Sequence, residues 1–180
     1  MSGIIEAFSI DFLLILAPLF YLRAIKGKEW KEIKKEFFCK YQGHKKEIVG
    51  ALALFAALLI AFIGIAAILS FFGLNDLSKV QEVVVKTYAQ NIPALLFTLM
   101  AGVFAEEFFF RAFLVKRSGI LVSTIIFTFA HFGYGSVAEI IGVFFLGLIL
   151  AYWYKKKNSL LQNYFGHMLY NLLAIAIYLI

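Results

Sequence analysis

Ala105-Glu106-Glu107-Phe108-Phe109-Phe110-Arg111 stands inside a run, Ile92 to Val115, that is otherwise fit for lipid. A charge at bilayer depth costs from about 3 to more than roughly 10 kcal/mol. Three ionisable groups there need partners or a use. At about 100° per residue, Arg111 lies about 40° round a helix from Glu107 and about 140° from Glu106. Glu107 and Arg111 therefore pair at i,i+4, as a structural ion pair. Glu106 is left facing elsewhere, and chemistry is expected at that unpaired carboxylate.

The rest of the chain has the same solvent in mind. Of its 180 residues 63% are hydrophobic and 18% aromatic, well above the 45–50% apolar content of about the average soluble domain. Mean hydropathy is +0.89. Apolar runs of helical length and only two prolines predict an all-α, polytopic helix bundle rather than a barrel, whose strands would alternate. The net charge of +6 is read as cytoplasmic loops and contact with anionic membrane lipid, with no nucleic acid as partner. A lone Cys39 leaves no internal disulfide and no cysteine metal pair. No basic residue precedes the first apolar run and no A-x-A site follows it, which argues against a cleaved signal peptide.

About six spans are expected: 4–22, 48–72, 92–115, 119–132, a fifth from Ser136 to Tyr154, and a sixth from Ser159 onward. Asp11 in the first marks a polar, poorly buried span. Between spans one and two, from Arg23 to Glu47, Trp30, Ile33, Phe37 and Phe38 recur on one face among basic residues. That predicts an amphipathic helix on the membrane surface. Ser78-x-x-Gln81, Ser136-x-x-Glu139 and Ser159-x-x-Gln162 read as capping boxes, with Glu139 as an N3 cap. Two parts follow: 1–91, an N-terminal membrane segment with the amphipathic helix, and 92–180, a catalytic core.

The basic residues divide nine, three and three among alternate turns, with only Lys79 and Lys86 on the other side. By the positive-inside rule the basic turns are cytoplasmic, in a multi-pass protein of the cell membrane. Counted from those turns at about 1.5 Å per residue, Glu106 lies roughly 15 Å in, His131 about 20 Å along a short helix, and His167 about 12 Å in, with Asn171 one turn beyond. Singly, His131 reads as a histidine bonded to a backbone carbonyl, and His167 with Asn171 as interhelical glue. Jointly, a carboxylate, two imidazoles and an amide at matched depth on three helices read as a functional site.

No intramembrane Ser or Cys stands beside a histidine, so a covalent nucleophile has no support. Two schemes remain. In one, Glu106 and His131 hold and deprotonate a water while His167 and Asn171 stabilise the oxyanion. In the other, Glu106, His131 and His167 ligate a divalent metal such as zinc that activates the water. The residues do not choose between them, and the cofactor is left open.

Glu106-Glu107-x3-Arg111, Phe127-x3-His131 and His167-x3-Asn171 resemble the three motifs of the CPBP family, over roughly 92–180. That family contains the type II CAAX prenyl endopeptidases and bacteriocin-processing or immunity-associated (Abi-like) membrane proteins. The resemblance implies an intramembrane endopeptidase, glutamate- or metal-dependent, acting on a membrane-anchored peptide or protein substrate, lipid-modified ones included. It implies Glu106 as catalytic carboxylate, His131 beside it on the water, His167 and Asn171 completing the site, and Glu107 and Arg111 in support. Two alternatives are a non-catalytic immunity or interaction protein of the same fold, for which an unpaired Glu106 has no evident use, and a proton or ion carrier, against which no inverted repeat is seen. The depth estimates place substrate access at a gap in the cytoplasmic leaflet, with the segment from Lys28 to Glu47 as guide.

Overall fold

Lipid offers a backbone no hydrogen bonds, so apolar runs of this length close their own as helices. A computed structural model of the chain, which describes residues 2–38, 41–88 and 92–179, is all-α, with no strand among the described residues. Cys39 lies outside them. The helices are α1 (Ser2–Phe20), α2 (Trp30–Phe38), α3 (His44–Phe71), α4 (Ser78–Tyr88), α5 (Ile92–Glu106), α6 (Lys116–Phe129), α7 (Val137–Lys157) and α8 (Leu160–Leu179). Three helical runs are long and apolar enough to cross a membrane: His44–Phe71, Leu95–Phe129 and Val137–Lys157. The second of these joins two expected spans, which part at Gly119 (φ 82°, ψ 177°), a conformation open to glycine and strained for other residues. α8 is long enough but carries Gln162, Asn163, His167 and Asn171, which lower its hydropathy.

α5 does not continue as an α-helix to Val115, as expected. From Glu107 to Val115 the helix widens to π geometry, with i→i+5 bonding, a form that recurs at functional sites. The change falls between the two glutamates. α1 packs along α5, α6 along α7, and α3 along both α7 and α8. The α3–α8 approach depends on Gly166, where a Cβ would stand 3.0 Å from the Ala51 carbonyl oxygen; small residues allow such contacts between membrane helices.

Caps fix the helix ends. At α7, Ser136 Oγ accepts the Glu139 N–H at 3.1 Å, and Asp76, from the turn before α4, accepts the Val137 and Ala138 N–H groups at 2.9 and 3.0 Å and the Ser136 hydroxyl at 2.8 Å. These hydrogen bonds, those from Ala138 and Val137 foremost, hold the Asp76 carboxyl well below the usual carboxylate range. Lys155, Lys156 and Lys157 occupy the last turn of α7, where the helix dipole favours cations. At α8, Ser159 Oγ accepts the Gln162 N–H at 3.2 Å. At α4 the helix begins at Ser78 itself, and the Gln81 N–H donates to Leu77 O at 3.2 Å.

The amphipathic segment differs from its expectation in length and contact. α2 ends at Phe38, and Glu47 already belongs to α3. Part of its apolar side faces protein: Ile33 and Phe37 are buried while Trp30 is exposed, and Phe37 stacks on Phe108 at 4.1 Å between ring centroids. Glu36 clamps it down by accepting from Lys28 Nζ at 2.6 Å and from Arg117, while its carbonyl takes Lys116 Nζ at 2.6 Å. With Leu22, Ala112, Phe113, Val115, Ala151, Tyr154 and Leu160, these rings fill the basic end of the bundle.

Candidate active site

A cavity of about 350 Å³ opens within the bundle, and Asp11, Glu106, His131, Glu139, His167 and Asn171 all line it. The four residues expected at the site, Glu106 from the end of α5, His131 just after α6, and His167 and Asn171 from α8, are thus brought to one enclosure whose other walls are mostly aliphatic.

Each histidine is oriented by what its Nδ1 meets. His131 Nδ1 lies 2.9 Å from Phe127 O. A carbonyl only accepts, so the neutral ring carries its proton on Nδ1 and its lone pair on Nε2. The carbonyl-bonded reading of His131 and its place on the cavity are both met by one geometry. His167 Nδ1 lies 2.9 Å from Glu107 Oε1, and since a carboxylate accepts, this nitrogen too carries a proton. The second oxygen, Glu107 Oε2, accepts from Asn163 Nδ2 at 3.0 Å. Glu107 is therefore more than the partner of Arg111.

The expected ion pair does form, with Arg111 Nε 3.5 Å from Glu107 Oε1 and both side chains fully buried. None of the three guanidinium nitrogens has a hydrogen-bond acceptor among the described residues. The guanidinium instead lies over the Phe127 ring, 4.2 Å from its centroid, a cation–π contact that gains strength when desolvated. Phe127 carries His131 on the same ring, 4.6 Å between centroids, so the aromatic residue of the Phe127-x3-His131 pair couples the arginine to the imidazole. Among the described residues Glu106 makes no hydrogen bond and no ion pair, although it lies near enough to Asp11 and Arg111 to interact with them electrostatically.

The metal scheme finds no matching arrangement. Among the described residues no three His, Cys, Asp or Glu side chains are placed to hold a metal ion. Glu106, His131 and His167 share the cavity without forming a ligand set.

Two cavity residues were read otherwise from sequence. Glu139 contributes only its backbone N–H to the α7 cap; its carboxylate lines the cavity, close enough to His131 for the two charges to interact. α1 is poorly buried, as expected, with Ile10, Phe12, Leu13 and Phe20 exposed, but Asp11 does more than mark it. It lines the cavity from α1, and its oxygens lie 3.5 Å from where a Cβ on Gly102 would stand, one turn before Glu106. The signal for Asp11 was present, a charge within an apolar run, the same anomaly that singles out Glu106.

The cavity also lies towards an unexpected end. Its walls come from Leu58 to Leu69 of α3, from α4, from the first half of α7 and from His167 to Ile177 of α8, the parts farthest from the basic turns. On the basic side the site is floored by fully buried Glu107, Arg111 and Asn163, and beneath them by the aromatic packing of α2. The gap expected at the basic end is filled.

No curated protein and no solved structure matches the chain. Residues 88–173 match the family described as type II CAAX prenyl endopeptidase Rce1-like, a stretch that holds Glu106, Glu107, Arg111, His131, His167 and Asn171. The match, within a helix bundle that has helices long and apolar enough to cross a membrane, supports a CPBP-family intramembrane protease.

Proposed function

We propose that the protein is an endopeptidase in which Glu106 and His131 activate a water against a peptide bond of a membrane-associated substrate, lipid-modified substrates included. The observation that carries this reading is the meeting of Glu106, His131, His167 and Asn171 on one cavity walled by aliphatic side chains.

The steps follow from the groups present. A water between Glu106 and His131 gives a proton to the carboxylate as its oxygen bonds to the substrate carbonyl carbon, and His131 Nε2 orients it. The carbonyl oxygen becomes an oxyanion, which accepts from the Asn171 amide and from His167 in its doubly protonated form, with Glu107 as counter-charge. The carbon–nitrogen bond then breaks, and the amine leaves with the proton from Glu106. Aliphatic walls keep bulk water out, which strengthens each of these electrostatic contacts. Because the basic end is packed, the substrate reaches the site from the end that carries α4.

Incubating purified wild type and Glu106→Gln, reconstituted in lipid nanodiscs, with a library of membrane-anchored peptides tests the reading. Mass spectrometry should find new termini with wild type alone. Identical product sets from the two would contradict it.

A further inference from the structure

Asn163 belongs to none of the three motifs, yet it is fully buried beside the site. Its Nδ2 donates to Glu107 Oε2 at 3.0 Å and to Leu150 O at 2.9 Å. Both neighbours are acceptors, so the amide must turn its NH2 to them, and both N–H groups are used. The consequence is that Asn163 Oδ1 has no donor among the described residues. An aliphatic side chain would fill the position without that buried, unsatisfied oxygen, so the two donations are what the amide supplies. One goes to the main chain of α7, where Leu150 is itself buried. The other sets the plane of the Glu107 carboxylate, whose remaining oxygen takes His167 Nδ1 at 2.9 Å.

We propose that Asn163 is a positioning residue for the hydrolysis: it ties Glu107 to the rigid α7 backbone and so fixes the direction in which His167 presents Nε2 to the cavity. This rests on the reading of His167 as an oxyanion partner. Arg111 does not fix Glu107 in this way, because its contact is a 3.5 Å ion pair without a hydrogen bond. Asn163 acts through Glu107 on His167 and touches no reacting atom. Outer partners of metal-bound histidines typically cost about 10–100-fold in activity when lost, and the same order is expected for a partner that orients His167.

Asn163→Asp keeps the shape and removes both donors, placing one carboxylate against another. It is expected to lower kcat by about 10–100-fold with KM within about twofold, since no substrate contact is removed. Asn163→Ser, which keeps one donor and adds no charge, serves if the aspartate variant does not fold, and should fall between. Wild-type kcat in Asn163→Asp or Asn163→Ser overturns the proposal. A second readout does not depend on activity: in protein labelled with nitrogen-15 at histidine, the His167 Nδ1 resonance should be that of a protonated, hydrogen-bonded nitrogen and should move in Asn163→Ser. An unmoved resonance overturns the positioning role even if the protein cleaves. If wild type cleaves nothing while the resonance moves, the endopeptidase reading fails and the tie between Asn163 and His167 stands.

Discussion

His167 Nδ1 lies 2.9 Å from Glu107 Oε1, so the second glutamate of the Glu106-Glu107 pair holds a histidine of the site while the first faces the cavity. Adjacent carboxylates have separate tasks because the helix turns between them and widens at Glu107.

Arg111 is the first place to separate fold from chemistry. Removing it leaves Glu107 buried with only Asn163 and His167 as partners, a loss of about 3–5 kcal/mol for a broken buried pair. Arg111→Ala should therefore lower the folded yield and the melting temperature in detergent. Arg111→Lys retains the charge but not the flat stack on Phe127, and should fall between alanine and wild type. A melting temperature for Arg111→Ala equal to wild type would show that the pair is not structural.

Asp76 gives a pH dependence outside the membrane-spanning segments. Its folded carboxyl is held below the usual range by the Ala138 and Val137 N–H groups and the Ser136 hydroxyl. A depressed folded value contributes stability that is present above the unfolded value, about 3.9, and is lost as pH falls through the folded one. Asp76→Asn should thus melt below wild type at neutral pH, with the gap narrowing only under strongly acidic conditions. A gap that is widest in acid would refute the assignment.

Gly102 tests the seat of Asp11. A Cβ there meets the Asp11 oxygens at 3.5 Å, an ordinary contact, so Gly102→Ala should cleave at close to the wild-type rate. Gly102→Leu has no such room and should displace Asp11 and lower kcat by about tenfold or more, by the sensitivity of positioned groups to small displacements. Equal rates for the two variants would show that the α1–α5 contact does not serve the site.

Much of this site was legible because charges and amides in lipid-like runs are conspicuous: Glu106, His131, His167 and Asn171 were found by that criterion, and they line one cavity. What was not legible depends on packing. Glu139 fits a capping box by spacing, and its backbone does cap, but the direction of its carboxylate is set by the helices around it. Ile33 and Phe37 form an apolar stripe that fits lipid or protein equally well, and only Phe108 against it decides. Helical rise gives distance from the basic turns but not which end of the bundle is filled. The Asn163 tie was hidden because a buried asparagine on a polar helix looks like any other until its acceptors are in view.

The central claim is that Glu106 is the proton-transfer group of a hydrolytic site. Its most direct test is the rate at which Glu106→Gln in nanodiscs cleaves a membrane-anchored peptide that wild type cuts, with the melting temperatures of both measured alongside. Loss of a general base predicts a fall of about 10²–10⁴-fold in kcat with a melting temperature close to wild type, since the carboxylate makes no hydrogen bond or ion pair among the described residues. Cleavage by Glu106→Gln at the wild-type rate would contradict the account.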